Sequence, residues 1–203
     1  MLPEVKAAQL ADSQADLLDE LSRILQSQRK TRSNITELQI QQQQTEQFRR
    51  ADLDLLRRSE IDQHRIASAL FDESDGLTER AIRLAAELET NRIESQEIRT
   101  QLDELTGELK HVRDHLIGPL EQTMTSARKQ AEQAINESKT ENVADVADRP
   151  LPLGDIESRQ TEIIETLTAL LAGASVWKQQ VDLRSEVSRI ATAQDEVLSL
   201  IHI

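Results

Sequence analysis

The sequence contains no cysteine and no tyrosine, and its three aromatic side chains are Phe48, Phe71 and Trp177. Without cysteine the chain can form no disulfide and can offer no thiolate to a metal ion. Without more aromatic side chains it lacks the bulky residues that dominate most compact cores. Five glycines and four prolines in 203 residues leave few positions for tight turns. These absences argue against an ordinary globular domain.

Long apolar runs are also absent. A transmembrane helix needs about 20 mostly apolar residues, and the longest candidate, from Leu167 to Trp177, is roughly half that length and includes Thr168 and Gly173. The sequence therefore predicts no membrane span in this chain. It does not indicate the compartment.

Positive charge is scarce, because the net charge is −13 at pH 7. Binding to nucleic acid requires clustered Lys and Arg that neutralise phosphates. The nearest approach to such a cluster is Arg49, Arg50, Arg57 and Arg58, with acidic residues between them. We expect a solvated helix face there and no nucleic-acid partner.

The sequence does contain apolar residues spaced alternately three and four apart, most regularly from Leu77 to Leu116. This spacing predicts a coiled-coil seam along a slightly under-wound helix. The expected fold class is all-α, with long amphipathic helices that form a coiled coil or an elongated antiparallel helical hairpin or bundle. The predicted interface residues on the seam are Leu77, Leu84, Leu88, Ile98, Leu102, Leu105, Leu109, Val112 and Leu116.

Charged residues flank this seam in a regular order. The predicted interface charges are Glu87, Glu94 and Glu108, each followed five residues later by Arg92, Arg99 or Arg113. In a parallel, in-register pair of helices these positions meet across the interface as opposite charges. The pattern favours parallel self-association, or a different helix with complementary charges. Asn91 and Ser95 interrupt the seam, either to fix its register or as a simple weak point.

Changes in composition divide the chain into three parts. Residues 1–141 are predicted as a coiled-coil or helical-hairpin region with a possible turn at 72–76 and a break at 118–119, where Gly precedes Pro. Residues 142–155 form a Pro, Gly and acid-rich linker. Residues 156–203 are predicted as a long C-terminal helix.

Two places in the first part leave the path of the chain open. The turn-forming residues Asp72 to Gly76 favour an antiparallel hairpin, whereas the heptad count passes through Gly76 unshifted and favours a continuous rod. Between Gln41 and Arg50 the glutamine-rich sequence shifts the register by four residues, which predicts a bend or a loosely paired zone.

No group of residues predicts catalysis, so we expect no enzyme, no cofactor and no metal. His111 and His115 have the spacing of a zinc-protease helix, but Val112 occupies the position of the general base. We expect a solvated pair, with weak zinc binding as the alternative. Trp177 lies on an apolar stripe and is predicted to anchor a core or an interface.

One resemblance extends over most of the chain. The order Asp75-Gly76-Leu77, Asn91-Arg92-Ile93, His115-Leu116 with Pro119, Ala127-Arg128-Lys129, Trp177 and Gln194 resembles segments of large uncharacterised bacterial coiled-coil proteins that are anchored in a membrane elsewhere in their chains. The resemblance implies a fragment of a scaffold and assigns a function to no residue.

The sequence thus predicts a non-enzymatic structural or scaffolding protein. Its partner would be a protein, either a second copy or another helical protein, and the contact would be made between helices. The alternative is a regulatory helical-bundle module that binds a partner helix in a groove near Trp177.

Overall fold

The computed structural model describes residues 3–45, 48–90, 96–137 and 151–174. These residues contain helices and short connections, and no strand occurs among them. The all-α class predicted from the sequence is therefore confirmed. The helices are α1 (Pro3–Thr45), α2 (Arg50–Phe71), α3 (Leu77–Thr90), α4 (Gln96–His111), α5 (Gly118–Glu137) and α6 (153–174), and π-helical residues Val112–Ile117 join α4 to α5.

The chain reverses direction between α1 and α2. These helices pack side by side, and Gln28 bonds to Gln63 although the two residues are 35 positions apart. The sequence predicts only a bend or loose pairing here. The glutamine-rich end of α1 offers little apolar surface that would favour a continued stripe, and the Asp52 carboxylate accepts the Arg49 N–H at 2.7 Å at the start of α2. Residues 46 and 47 lie outside the described part of the chain.

One long helix runs from α4 through the π-helical residues into α5. It does not break at Gly118-Pro119: α5 begins at Gly118, and the Gly118 N–H donates to the Arg113 carbonyl five residues earlier. In a regular α-helix the Pro119 ring would meet the carbonyl four residues before it. The wider π-helical turn accommodates the proline, so the irregularity precedes the Gly-Pro pair and the helix continues.

The predicted seam from 77 to 116 does not form a single helix. Arg99 pairs with Glu89 at 2.8 Å, whereas ten residues of one continuous helix span about 15 Å. α3 and α4 also contact each other side by side. The two halves of the predicted seam therefore face each other as antiparallel neighbours. Asn91, Arg92, Glu94 and Ser95 lie outside the described residues.

The turn at 72–76 interrupts the helix without folding it back. α2 pairs with α5 and α3 pairs with α4, and because α4 and α5 belong to one long helix, α2 and α3 run in the same direction along it. The structure thus differs from both the predicted hairpin and the predicted continuous rod. The Asp72 carboxylate accepts the backbone N–H groups of Ser74 and Asp75, and Thr78 Oγ1 donates to the Leu70 carbonyl at 2.9 Å.

α6 lies antiparallel to α1. Glu157 accepts from Thr36 at 2.7 Å, and Arg29, earlier in α1, donates to Thr168, later in α6, at 3.4 Å. α6 begins at residue 153, within the predicted linker, because Ile156 N–H donates to the Pro152 carbonyl. The first part of the predicted linker, 142–150, the end of the predicted first region, 138–141, and the predicted continuation of the last helix, 175–203, lie outside the described residues.

Along its length, the described part of the bundle has two sections. Counting the described residues alone, the four-helix section consists of α2, α5 and α6 with the adjoining length of α1, and the three-helix section consists of α3 and α4 with the N-terminal part of α1. One cluster of buried apolar residues extends through both sections. In the part of the chain that the structure describes, no helix combines the length and the hydropathy of a membrane span.

The turn at 72–76 generates a test with a matched control. A Cβ atom on Gly76 would lie 2.5 Å from the Asp72 nitrogen, whereas a Cβ atom on Gly107, in the exposed middle of α4, meets nothing within 4 Å. We expect Gly76→Ala to lower the free energy of unfolding by about 1–3 kcal/mol. Gly107→Ala should raise it by roughly 0.5–1 kcal/mol through helix propensity. Urea unfolding of both variants checks this, and equal effects would contradict the tight turn.

Candidate interaction surface

The predicted interface residues lie inside the bundle. Eight of the nine on the seam are buried within this single chain, and Ile98 is half-buried. They pack between α3, α4 and their neighbours, so the apolar stripe is not an open surface. Trp177 lies outside the described residues. The buried eight are Leu77, Leu84, Leu88, Leu102, Leu105, Leu109, Val112 and Leu116.

Two of the predicted interface charges, Arg99 and Arg113, make different pairs from those expected, whereas Arg92 and Glu94 lie outside the described residues. Arg99 pairs with Glu89 of the antiparallel α3, and Arg113 pairs with its neighbour Asp114 at 2.9 Å. Glu87 and Glu108 are exposed. The contacts at Arg99 and Arg113 are thus made within one chain.

The core of the four-helix section contains a layer of buried amides. Gln28 of α1, Gln63 of α2 and Gln160 of α6 each have 0% of their surface exposed. Gln28 and Gln63 form a reciprocal pair, because each Nε2 donates to the other's Oε1 at 3.0 Å. Gln160 Nε2 also donates to Gln63 Oε1, at 3.4 Å. These three residues are called the amide layer.

The amide layer restricts how the helices align. A buried amide without a partner loses its hydrogen bonds to water with no replacement, so a shift of one helix by a turn would carry that cost. Gln160 Oε1 already lacks a partner among the described residues. The layer therefore favours one register of α1, α2 and α6, as polar residues in coiled-coil cores do.

Ion pairs join the outer sides of α2 and α5. Glu132 accepts from Arg57 at 2.9 Å and from Arg128 at 2.8 Å. Arg128 also donates to Glu60 at 2.7 Å, and the same carboxylate accepts from Thr125. The hydrogen bond from Arg57, followed by that from Arg128, holds the pKa of Glu132 below its ordinary value. We call these groups the α2–α5 ion cluster.

A shallow groove of about 360 Å³ lies between α1 and α2. Ile24, Ile66 and Ala69 contribute its apolar lining. Its charged lining includes Lys30 and the pairs Arg23–Glu20 and Arg65–Asp62, at 3.2 and 3.0 Å. Ile24 and Ile66 are each only 3% exposed, so the accessible surface of the groove consists mainly of its polar and charged side chains, with half-buried Ala69 between them.

The His111 and His115 rings stack on the surface of the long helix, with centroids 4.5 Å apart. Both are exposed, and His115 Nδ1 lies 3.3 Å from the His111 carbonyl oxygen. Within the described ranges, no three His, Asp or Glu side chains come together as a group that could hold a metal ion.

The sequence did not single out the amide layer or the α2–α5 ion cluster. Gln63 occupies a core position of the three-and-four spacing that runs through Leu53 and Leu56, and this was a usable signal. Gln28 and Gln160 lie on other helices, and pairing all three requires knowledge of which helices are neighbours. The ion cluster depends on the same long-range alignment.

Comparison with protein-family models, with curated proteins and with solved structures found no match to this chain.

The amide layer can be tested by removing one amide or all three. Gln63→Leu should lower the free energy of unfolding by about 1–3 kcal/mol, because Gln28 and Gln160 lose their partner while buried. The triple change of Gln28, Gln63 and Gln160 to Leu should recover this loss, since no amide remains unpaired. Urea unfolding measures both, with Gln122→Leu on the exposed face of α5 as the control. A triple variant less stable than Gln63→Leu would refute the layer's role.

The α2–α5 ion cluster predicts acid sensitivity. Because the pKa of Glu132 is lowered on folding, its contribution to stability is present above the unfolded pKa and is lost as pH falls through the folded value. Glu132→Gln should therefore destabilise the protein at pH 7 and make little difference well below the usual pKa of 4.5. Thermal melts across this range check it, with exposed Glu104→Gln as control. A pH-independent difference would contradict the prediction.

Proposed function

We propose that this protein is a non-enzymatic structural protein, a helical scaffold that holds a second copy or another helical protein through contacts between helices. The observation that carries the proposal is the lengthwise packing of its helices. α1 alone has 43 residues and is about 65 Å long at 1.5 Å per residue. Long helices that share one continuous core suit a spacer or scaffold.

The location of the apolar stripe indicates which surfaces would meet a partner. The stripe is buried inside the chain, so a partner would contact the outer faces of the helices. These faces are mostly charged and include the isolated isoleucines Ile40, Ile61 and Ile82, which are 48%, 52% and 39% exposed. Charge complementarity would then govern the choice and the orientation of the partner.

A second candidate, the regulatory module that binds one partner helix, is supported by the groove between α1 and α2. Its charged edges fit a helix that carries charges of both signs, and half-buried Ala69 offers that helix a small apolar contact. This candidate predicts contact at one groove instead of contact along several helices.

Photo-cross-linking in the source cells separates these candidates. A benzophenone amino acid would replace Ile40, Ile61 or Ile82 for the outer faces and Ala69 for the groove, with exposed Lys129 as a control position. A scaffold should give protein adducts from at least two of the isoleucine positions, on different helices. Adducts from Ala69 alone would favour the module. Adducts from no position would overturn both candidates.

A further inference from the structure

Among the described residues, two helical paths that lie side by side are irregular at one level of the bundle. The first is the turn at 72–76 between α2 and α3, and the second is the π-helical stretch Val112–Ile117 between α4 and α5. α2 contacts the π-helical residues directly.

The ion pairs confirm that the two irregularities face each other. Along α2, Arg57 pairs with Glu132 and His64 lies 3.3 Å from Glu121. On the other side of the turn, Glu89 pairs with Arg99. Later residues of α2 and α3 therefore pair with earlier residues of the long helix, which is the order expected of antiparallel neighbours. This register places the turn beside residues 111–116.

α1 passes the same level as an unbroken helix. Extending the register of the Gln28–Gln63 pair places Leu17 near the turn, and Leu17 and Leu21 are both buried. At this level, the described residues therefore include one regular helix, α1, and two irregular helical paths, α2–α3 and α4–α5.

We propose that this level is a hinge between the four-helix section and the three-helix section. Sharp bends of helices occur at prolines and π-helical turns, and hinges are formed by a few residues at loops and at the ends of elements. Pro119 cannot donate a backbone hydrogen bond, and the turn at 72–76 replaces regular helical bonds with bonds to the Asp72 carboxylate. The regular helical hydrogen-bond pattern is therefore interrupted on both paths at this level.

The motion would swing the α3–α4 pair relative to α2, α5 and α6, with α1 flexing as the continuous support. Apolar side chains on both sides of the level, Leu70 and Leu77 among them, are buried. The hinge therefore bends a packed core and does not separate the sections. It would change the direction in which the α3–α4 pair presents its outer faces.

Distance measurements between paired spin labels test this hinge, and the natural chain has no cysteine that would interfere with labelling. The pair across the hinge is Arg58→Cys on α2 with Glu104→Cys on α4, both exposed positions. The control pair, Asp19→Cys with Gln43→Cys, lies within α1 at exposed positions, about 36 Å apart along one regular helix. We expect a broader distance distribution for the pair across the hinge. Equal widths would overturn the hinge.

A second variant tests whether the π-helical residues form part of it. Pro119→Ala restores a backbone donor and removes the ring that opposes a regular helix, so it should narrow the distribution across the hinge and slow hydrogen exchange at 112–118. Gly107→Ala strengthens the same long helix away from the π-helical residues and should leave the width unchanged. An unchanged width in Pro119→Ala, or the same narrowing in both variants, would refute the assignment.

Discussion

The fold depends on burial of narrow Leu and Ile stripes between antiparallel helices of one chain. With aromatics at 1% of the residues, no bulky cluster provides the core, and stability must come from many small contacts along each stripe. The apolar stripe that would form the interface between two chains of a coiled coil is thereby buried inside a single chain. The outer faces of the helices stay exposed, and they carry most of the charge.

Apolar burial alone does not select one alignment of such helices, because leucines recur at equivalent positions along each stripe. The amide layer supplies the missing selectivity, since Gln28 and Gln63 pair reciprocally and Gln160 donates to Gln63 at one register. The α2–α5 ion cluster adds a second set of alignment-dependent contacts at the surface. Stability and specificity thus come from different residues of the bundle.

The sequence predicts the all-α class because periodicity, low aromatic content and scarce turn residues all indicate long helices. The paths between helices were harder to predict. The reversal after α1 occurs although residues 41–50 include no Gly or Pro. The three-and-four spacing of the seam runs from 77 to 116 without a shift, although the two halves of the seam face each other on antiparallel helices. Heptad spacing is a property of the local sequence. It is the same whether the apolar stripe packs against another chain or against a later helix of its own chain. The amide layer was missed for the same reason, since its members are separated by 35 or 97 residues.

The unbroken length of α1 also limits how the protein can change in evolution. α1 lies beside α2 and α3 in turn, and these lie along the long helix from α4 to α5. An insertion in α1 alone would shift the residues on one side of it relative to their partners, and an insertion just before Gln28 could separate Gln28 from Gln63. The bundle can lengthen only when matching insertions, in whole multiples of the apolar repeat, enter all of its neighbouring helices at the same level. Its length should therefore be far more constant among descendants than the identity of its surface residues.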